Sequence, residues 1–294
     1  MAIPESQLQT WSSQGSVTQS CATYEIIRNA LLANDSGYAD KSFEVFLQGS
    51  YGNDTNVYAE SDVDVVICLD STFRYYLENL SEAEKQAYRS YVSPATYSFE
   101  QFKADVISHL QRRFGTSAVS VGNKAITITG DQNRRDADVV VCYEYRNFQS
   151  FSTYRPNDFV PGIIFPTPSG EIINFPRQHS SNLTSQHQAT RNMLKPMARI
   201  VKNMRNRLIR DGAIANDTAP SYFIEGMLNV PTLNFIGTYG DTFCNCINWL
   251  WEADRSTLVC PNRQYLLLGN SNIHWLSSKC DECLNALINL WNTG

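Results

Sequence analysis

A strongly apolar run that carries carboxylates is the feature of this sequence that most constrains its fold. The residues Val63–Leu69 read VDVVICL, and the apolar members of the run predict a β-strand anchored in a core. Side chains two residues apart on a strand point to the same side, so Asp62 and Asp64 are expected to project together, roughly 7 Å apart. Two carboxylates this close repel each other unless a cation lies between them. The pattern suits a hard divalent cation, which takes oxygen ligands.

A second apolar strand, predicted over Ala137–Tyr143, carries a third carboxylate, Asp138, near its start. Three carboxylates on adjacent strands can hold two Mg²⁺ ions, or Mn²⁺ in their place, which activate an attacking hydroxyl and stabilise a leaving oxygen in phosphoryl transfer. Asp62, Asp64 and Asp138 are therefore the predicted metal ligands and catalytic residues. The alternative is that Asp62 and Asp64 only end a strand at the solvent edge, since turns are rich in aspartate.

The turn Gly49-Ser50, which precedes these aspartates in the chain, favours the functional interpretation. A glycine lets the backbone approach a ligand closely, and exposed N–H groups with a serine hydroxyl suit phosphate oxygens. Gly49 and Ser50 are therefore predicted to bind phosphate, and the flanking Gln48 is predicted to position them.

Hydrophobic periodicity predicts an α+β chain with a mixed sheet. The predicted helices are 18–33, 81–92 and 99–113, and the predicted strands are Phe43–Gln48, Val63–Leu69, Ala118–Val121, Ala125–Thr129 and Ala137–Tyr143. Residues 150–190 are predicted to be a long irregular connection with a hairpin at Gly162–Phe175, and from Arg191 the pattern is helical. We therefore expect an α/β part over residues 1–190 with an N-terminal helix, a helical part over 191–294, and an active-site cleft between them.

Composition limits the partners of the chain. Its 294 residues are 43% hydrophobic, which is enough for two sub-domains, and its net charge of −5 disfavours a broad surface for extended nucleic acid. No apolar run approaches the roughly 18 residues of a membrane helix, and the N-terminus has no signal-peptide pattern. We therefore expect a cytoplasmic protein that does not bind membranes.

The cysteines allow two interpretations. Zinc binding is suggested by the spacing of Cys244, Cys246, Cys260, Cys280 and Cys283 with His274 nearby. Core packing is favoured, because Cys280 and Cys283 fall on the apolar face of a predicted helix and free cysteine is a common core residue.

Residues 191–210 contain seven arginines or lysines and no acid, in a chain that is acidic as a whole. Leu194, Met197 and Val201 form part of an apolar stripe, while Lys195, Arg199 and Lys202 share another face. A solvated basic face is one explanation. A partner for a triphosphate is the other.

Several blocks of the chain resemble a known family. The stretch Leu47–Leu69 resembles the signature of polymerase-beta-like nucleotidyltransferases, and "FEVFLQGSYGNDTNVYAESDVDVVICL", "ATYSFEQFKADV", "DADVVVCYEYR" and "INFPRQH" resemble the bacterial cGAMP-synthase/DncV-like (CD-NTase) enzymes. Val141 stands where relatives often carry proline, which does not affect the carboxylate.

The resemblance implies a fold and a function. The fold would be a nucleotidyltransferase core over residues 1–190, followed by a C-terminal helical domain over 191–294. The enzyme would join NTPs into a cyclic di- or trinucleotide second messenger, in anti-phage (CBASS) signalling with effector and ancillary proteins, and would be a monomer. Lys202 and Ser221 would hold the donor triphosphate, and Tyr222 would stack on its base, although Tyr222 could also be a core aromatic.

Two other functions remain open at this point. The same fold could transfer nucleotides to RNA, a protein or a small-molecule acceptor. It could also be an inactive nucleotide-binding regulator, which the three carboxylates argue against.

Overall fold

The computed structural model describes residues 3–15, 17–58, 63–271 and 273–294. In chain order, the helices and strands are α1 (Glu5–Ser12), α2 (Val17–Leu31), β1 (Phe43–Leu47), α3 (Gly49–Gly52), β2 (Val63–Tyr76), α4 (Glu82–Tyr91), α5 (Phe99–Phe114), β3 (Val119–Val121), β4 (Ile126–Ile128), β5 (Ala137–Phe148), β6 (Phe159–Thr167), β7 (Gly170–Asn174), α6 (Pro176–Ala189), α7 (Leu194–Arg210), α8 (Ser221–Met227), α9 (Tyr239–Glu252) and α10 (Ser277–Thr293). None of the helices in these ranges is long and apolar enough to cross a bilayer.

The chain divides into two compact units, each built from separate stretches of sequence. The sheet unit consists of residues 18–48 and 62–177, and the helical unit consists of residues 1–17, 49–61 and 178–294. The Gly49-Ser50 turn therefore belongs to the helical unit, although strands of the sheet unit flank it in sequence. The boundary predicted between residues 190 and 191 stays a prediction.

The sheet unit is built on a mixed, seven-stranded sheet. Five strands follow the order β1-β2-β5-β4-β3, and β6 extends the sheet from β5 to β7. The pair β2 and β5 is parallel, and the other pairs are antiparallel. Val65, Ile67 and Leu69 on one face of β2 are fully buried, and α5 packs on β2, β5 and β3. The long β-branched runs thus form the core strands that their composition favours.

The helical unit is organised around α7. Its apolar residues Met197, Val201 and Met204 are inaccessible to solvent, and it contacts α1, α8, α9 and α10. Four of its cations are also buried: Lys195, Arg199, Lys202 and Arg205. Buried charges need partners inside the protein, so these four cations do not form a solvated face, whereas Arg210 at the end of α7 is exposed.

The structure confirms the predicted α+β class and the helices near 18–33, 81–92 and 99–113. The prediction for residues 150–190 was only partly right. The hairpin forms as β6 and β7, but residues 176–189 form α6 rather than an irregular connection. This helix starts with Pro176, is rich in Ser, Gln and His, and buries only His179 and Leu183, so its sequence has little apolar periodicity.

The cysteines of the helical unit lie mostly in its core. Cys246, Cys260, Cys280 and Cys283 are buried in one hydrophobic cluster, and Cys244 packs against that cluster. All eight cysteines of the chain are free thiols. Burial raises the pKa of Cys246 to about 12, which makes it a poor thiolate donor.

The start of α5 offers a test of the local fold. Ser98 accepts a hydrogen bond from the Gln101 backbone N–H at 3.2 Å, and the Gln101 side chain accepts one from the Ser98 backbone at 3.0 Å. Ser98→Ala should destabilise the protein by about 1 kcal/mol and lower the melting temperature by roughly 2–4 °C. Ser90→Ala, an exposed position inside α4, is the control and should not lower it, because alanine favours helices. Equal melting temperatures for the two variants would contradict the capping assignment.

Candidate functional site

The parallel pairing of β2 with β5 brings two of the predicted carboxylates together. Asp64 is the direct register partner of Asp138, so the two side chains lie on one face of the sheet, on strands about 4.8 Å apart. Thr127, the register partner of Asp138 on β4, donates its hydroxyl to Asp138 Oδ1 at 2.7 Å. The third predicted carboxylate, Asp62, lies outside the described residues.

This arrangement fits a divalent cation by its donor chemistry. Two half-buried carboxylates in register offer the hard oxygen ligands that Mg²⁺ and Mn²⁺ prefer. Among the described residues, which do not include Asp62, no three His, Cys, Asp or Glu side chains form a metal-binding group. The metal assignment therefore stays a prediction carried by Asp64 and Asp138.

A cavity opens on the same face of the sheet, farther along the strands. Phe46 lines it and pairs with Val66, which lies two residues beyond Asp64 and hence roughly 7 Å along the strand. The space between its lining residues is about 410 Å³, part of which is open to solvent. Its lining residues are Glu44, Phe46, Cys68, Asp70, Glu144, Pro161, Gly162, Ile163, Pro176 and Arg177.

The cavity combines an apolar body with acidic groups. Glu44 is paired with Arg177, whose guanidinium also lies over the Phe46 ring at 5.0 Å. Glu144 is paired with Arg146 at 2.6 Å, and burial raises the pKa of Glu144 despite that partner. The carboxylate of Asp70 makes no hydrogen bond or ion pair with the residues that the structure describes. Asp70 is thus an acceptor in the wall of the cavity that is available to a ligand.

The predicted phosphate turn begins where the chain passes into the helical unit. Gln48 belongs to the sheet unit, where its N–H donates to the Asp64 carbonyl at 3.0 Å. Gly49 has φ +68°, a conformation that favours glycine, and opens the single helical turn α3. The Thr55 N–H donates to the Ser50 carbonyl at 2.9 Å, so the segment folds back on itself.

Cations of α7 hold the segment that follows this turn. Lys195 forms an ion pair with Asp54 at 2.9 Å, and Arg199 donates to the Asp54 carbonyl. Lys202 donates to the carbonyl of Thr55 at 3.2 Å and to its hydroxyl at 3.1 Å. The basic helix therefore binds a loop of its own unit, an explanation that the sequence did not offer.

Lys202 is 0% exposed, and its third partner is Glu225 Oε1 at 2.8 Å. These three acceptors match the three donors of an ammonium group. The prediction that Lys202 binds phosphate directly is untested, and the structure shows this side chain saturated by protein groups.

Glu225, on α8, is the buried centre of a hydrogen-bond cluster. Besides Lys202, it accepts hydrogen bonds from Asn53 at 3.3 Å, from the Thr55 hydroxyl and from His179 Nε2 at 2.6 Å. Burial raises the pKa of this carboxyl, but the Lys202 ammonium and the His179 ring outweigh it and hold the pKa well below its usual 4.5. Glu225 is therefore an ionised carboxylate at neutral pH.

Ser221 and Tyr222 start α8 and lie next to this cluster. The Ser221 hydroxyl accepts from Arg205 at 3.2 Å. Tyr222 is 37% exposed, and its ring lies 5.0 Å from the His179 ring at an angle of 36°. Its hydroxyl accepts from Asn262 at 2.9 Å, so one end of the ring is anchored while part of its surface stays open. The stacking role of Tyr222 stays a prediction.

Sequence reasoning missed the residues that support the predicted ones. Thr127 was not predicted, because a threonine in a short strand carries no distinctive pattern. His179 was not predicted either, since its partner Glu225 lies 46 residues away. A signal for Glu225 exists: an acid inside the apolar stretch "SYFIEGML" indicates a buried carboxylate that needs a cation.

The charge cluster predicts how stability depends on pH. Because the folded-state pKa of Glu225 is depressed, the stability it contributes is present above its unfolded value of 4.5 and is lost as the pH falls below that value. The melting temperature of the native protein should therefore exceed that of Glu225→Gln clearly at about pH 6, and the gap should narrow towards about pH 3. Lys202 and His179, which face Glu225, remain in both proteins. A gap that stays constant over this range would contradict the assignment.

Comparison with known proteins agrees with these features. Residues 181–292 match the family described as cGAS/DncV-like nucleotidyltransferase C-terminal helical domain. The chain is 36% identical over 99% of both sequences to the cyclic nucleotide synthase CdnE01 of Staphylococcus haemolyticus. It is 39% identical to the cyclic UMP-AMP synthase of Rhodothermus marinus, over 99% of this chain and 98% of that protein.

A solved structure extends the similarity to three dimensions. The Rhodothermus marinus CdnE c-UMP-AMP synthase, determined with Apcpp and Upnpp, matches with a TM-score of 0.88 and 38% identity, covering 99% of this chain and 97% of that one. The resemblance inferred from the sequence blocks is thereby confirmed. The chain belongs to the CD-NTase family, and it is a nucleotidyltransferase of the cyclic oligonucleotide synthases.

Proposed function

We propose that this enzyme joins two or three NTPs into a ring by repeated attack of a ribose hydroxyl on an α-phosphate. The observation that carries the mechanism is the register pairing of Asp64 with Asp138 on one face of the sheet. The Rhodothermus marinus relative was solved with the NTP analogues Apcpp and Upnpp, which supports NTPs as substrates here.

Each step forms one bond and breaks one bond. The acceptor hydroxyl oxygen bonds to the α-phosphorus of the donor, the bond from that phosphorus to the bridging oxygen breaks, and pyrophosphate leaves. The hydroxyl proton passes to a nearby carboxylate, for which Asp138 is our candidate. A further step of the same kind, with the exchanged roles of donor and acceptor, closes the ring.

The carboxylates hold the metal in this proposal. Asp64 and Asp138, with Asp62, supply the oxygen ligands, and Thr127 orients Asp138 through its hydroxyl. The chemistry that two bound Mg²⁺ or Mn²⁺ ions supply here is a lower pKa for the attacking hydroxyl and neutralisation of the leaving group.

The donor nucleotide is held by residues at the start of the phosphate turn and on the helical unit. Gly49 and Ser50 contact the triphosphate through backbone N–H groups and a hydroxyl, positioned by Gln48, and Ser221 adds a second hydroxyl. Tyr222 stacks on the base, since its ring is partly open and fixed at its hydroxyl end. Lys202 belongs to this group because it binds the loop that follows the turn.

The cavity on the carboxylate face receives the base of the acceptor nucleotide. It lies on the same side of the sheet as Asp64, two residues farther along β2, and is lined by both apolar and acidic side chains. Asp70 accepts hydrogen bonds only, so it favours a base edge that presents N–H donors.

The cellular setting that we propose follows the family resemblance. The enzyme acts as a monomer in the cytoplasm and supplies a second messenger for anti-phage (CBASS) signalling, alongside effector and ancillary proteins. Its net charge of −5 supports a site limited to nucleotides rather than a surface for extended nucleic acid.

One experiment tests the reaction. We expect the purified protein, given α-labelled NTPs and Mg²⁺ or Mn²⁺ alone, to form a labelled product that resists phosphatase, because a ring has no terminal phosphate. The double variant Asp64→Asn with Asp138→Asn should lose this activity by about 10³-fold or more, since the developing charge is no longer stabilised.

The matched control is Asp35→Asn, an exposed carboxylate of the sheet unit paired with Arg113, which should keep full activity. Robust product from the double variant would refute the role of these carboxylates. Pyrophosphate release that depends on added RNA, protein or a small molecule would instead favour transfer to that acceptor. No pyrophosphate under any condition would favour an inactive regulator.

The cavity gives a separate prediction. Asp70→Asn replaces an acceptor by a group that also donates, so KM should rise about tenfold or more for the NTP whose base donates to Asp70 and stay near the native value for the others. The measurement is KM for each NTP in the native protein, in Asp70→Asn and in Asp35→Asn. A uniform change across all four NTPs, or none, would argue against base recognition at this cavity.

A further inference from the structure

The buried cluster around Glu225 connects the two parts of the helical unit that are proposed to hold the donor nucleotide. On one side, Asn53 and the Thr55 hydroxyl donate to the carboxylate, and both follow directly on the turn that contains Ser50. On the other side, His179 donates to it from Nε2 at 2.6 Å, and the His179 ring lies against the ring of Tyr222. One side chain thus fixes a phosphate-binding loop and a base-stacking ring.

The residues of this cluster are almost completely buried. Glu225 is 3% exposed, Lys202 and Thr55 are 0% exposed, and His179 is 4% exposed. Lys202 reaches both the carboxylate and the Thr55 carbonyl and hydroxyl, so it completes a ring of contacts around the loop. Burial places these hydrogen bonds in a low-dielectric environment, where such bonds are strong.

Core stability alone is a weak reason for such a cluster. Replacing a buried ion pair by apolar side chains of similar volume is often neutral or stabilising, because desolvation offsets the attraction. Apolar packing has no direction, however, whereas four hydrogen bonds to one carboxylate specify where each donor lies. A cluster with this geometry is suited to placing groups that need accurate positions.

We propose that Glu225 is a positioning residue that sets the phosphate loop through Thr55 and Asn53 and the stacking ring of Tyr222 through His179. Lys202 then acts through Thr55 and Glu225 rather than by touching phosphate. This inference rests on the proposed function, since it assigns a cause to the geometry of the donor site.

The two arms of the cluster can be tested separately with small probes. Inorganic triphosphate, as a competitive inhibitor, reports the phosphate loop, and adenosine reports the stacking ring. Thr55→Val should weaken inhibition by triphosphate about tenfold and leave inhibition by adenosine unchanged, because it removes only the hydroxyl that joins the loop to Lys202 and Glu225. His179→Phe keeps a ring beside Tyr222 but loses the hydrogen bond to Glu225. It should weaken inhibition by adenosine about tenfold and leave inhibition by triphosphate unchanged.

Glu225→Gln should weaken both probes and raise KM for NTP more than it lowers kcat. Thr55→Ser keeps the hydroxyl and should behave as the native protein. Thr218→Val removes another buried hydroxyl that bonds a glutamate, Glu282, in the same unit, and it should change neither probe. These controls separate a positioning role from a general loss of stability, which would lower the active fraction and hence kcat alone.

The outcomes that overturn the inference are distinct from failure of the proposed function. If the native protein makes the cyclic product and binds both probes, but Thr55→Val and His179→Phe match it, Glu225 does not position the site. Both arms responding equally to either variant would also refute it, because a single loosened core would then explain the data. If Glu225→Gln does not fold, Thr55→Val and His179→Phe still decide the question. A native protein that forms no cyclic product and binds neither probe contradicts the proposed function itself.

Discussion

Two carboxylates on neighbouring strands repel each other, and the rest of the sheet unit must hold them together against this repulsion. Asp64 and Asp138 stand in register on the parallel pair of β2 and β5, where like charges raise the energy of the folded state. The flanking valines and isoleucines bury the strands deeply enough to hold this pairing, and Thr127 fixes the direction of one carboxylate. In the mechanism that we propose, a bound cation offsets this repulsion.

The strands and the carboxylates could be predicted because their signals are local. β-branched runs interrupted by aspartate identify β2 and β5, and the shared carboxylates led to the expectation that these strands are adjacent. The hairpin of β6 and β7 was also visible in the sequence. The parallel direction and the register of β2 and β5 were not visible, because two helices and two strands separate them in the chain.

The charges of α7 show why the rest of the site could not be predicted. A run of seven cations without an acid has the same sequence pattern whether the cations face solvent, a substrate or a buried loop. Their actual partners are distant in the chain: Asp54 lies 141 residues before Lys195, and Thr55 lies 147 residues before Lys202. The same holds for the acidic residue Glu225, whose buried partners could not be identified from the sequence. The sequence identified these charged residues as candidates, but their partners depend on contacts between distant parts of the chain.

The division of the chain also has a consequence for how the protein is made. The polypeptide crosses between the two units four times, at residues 17, 48, 61 and 177. The segment that carries Asp54 leaves the ribosome long before Lys195 and Lys202. Its polar groups therefore lack their α7 partners until most of α7 has been synthesised. The helical unit is thus completed last although it contains the first helix, and its completion needs contacts between residues far apart in the sequence, which form slowly. A fragment starting at residue 178 would lack α1 and the loop that pairs with Lys195, Arg199 and Lys202 of α7.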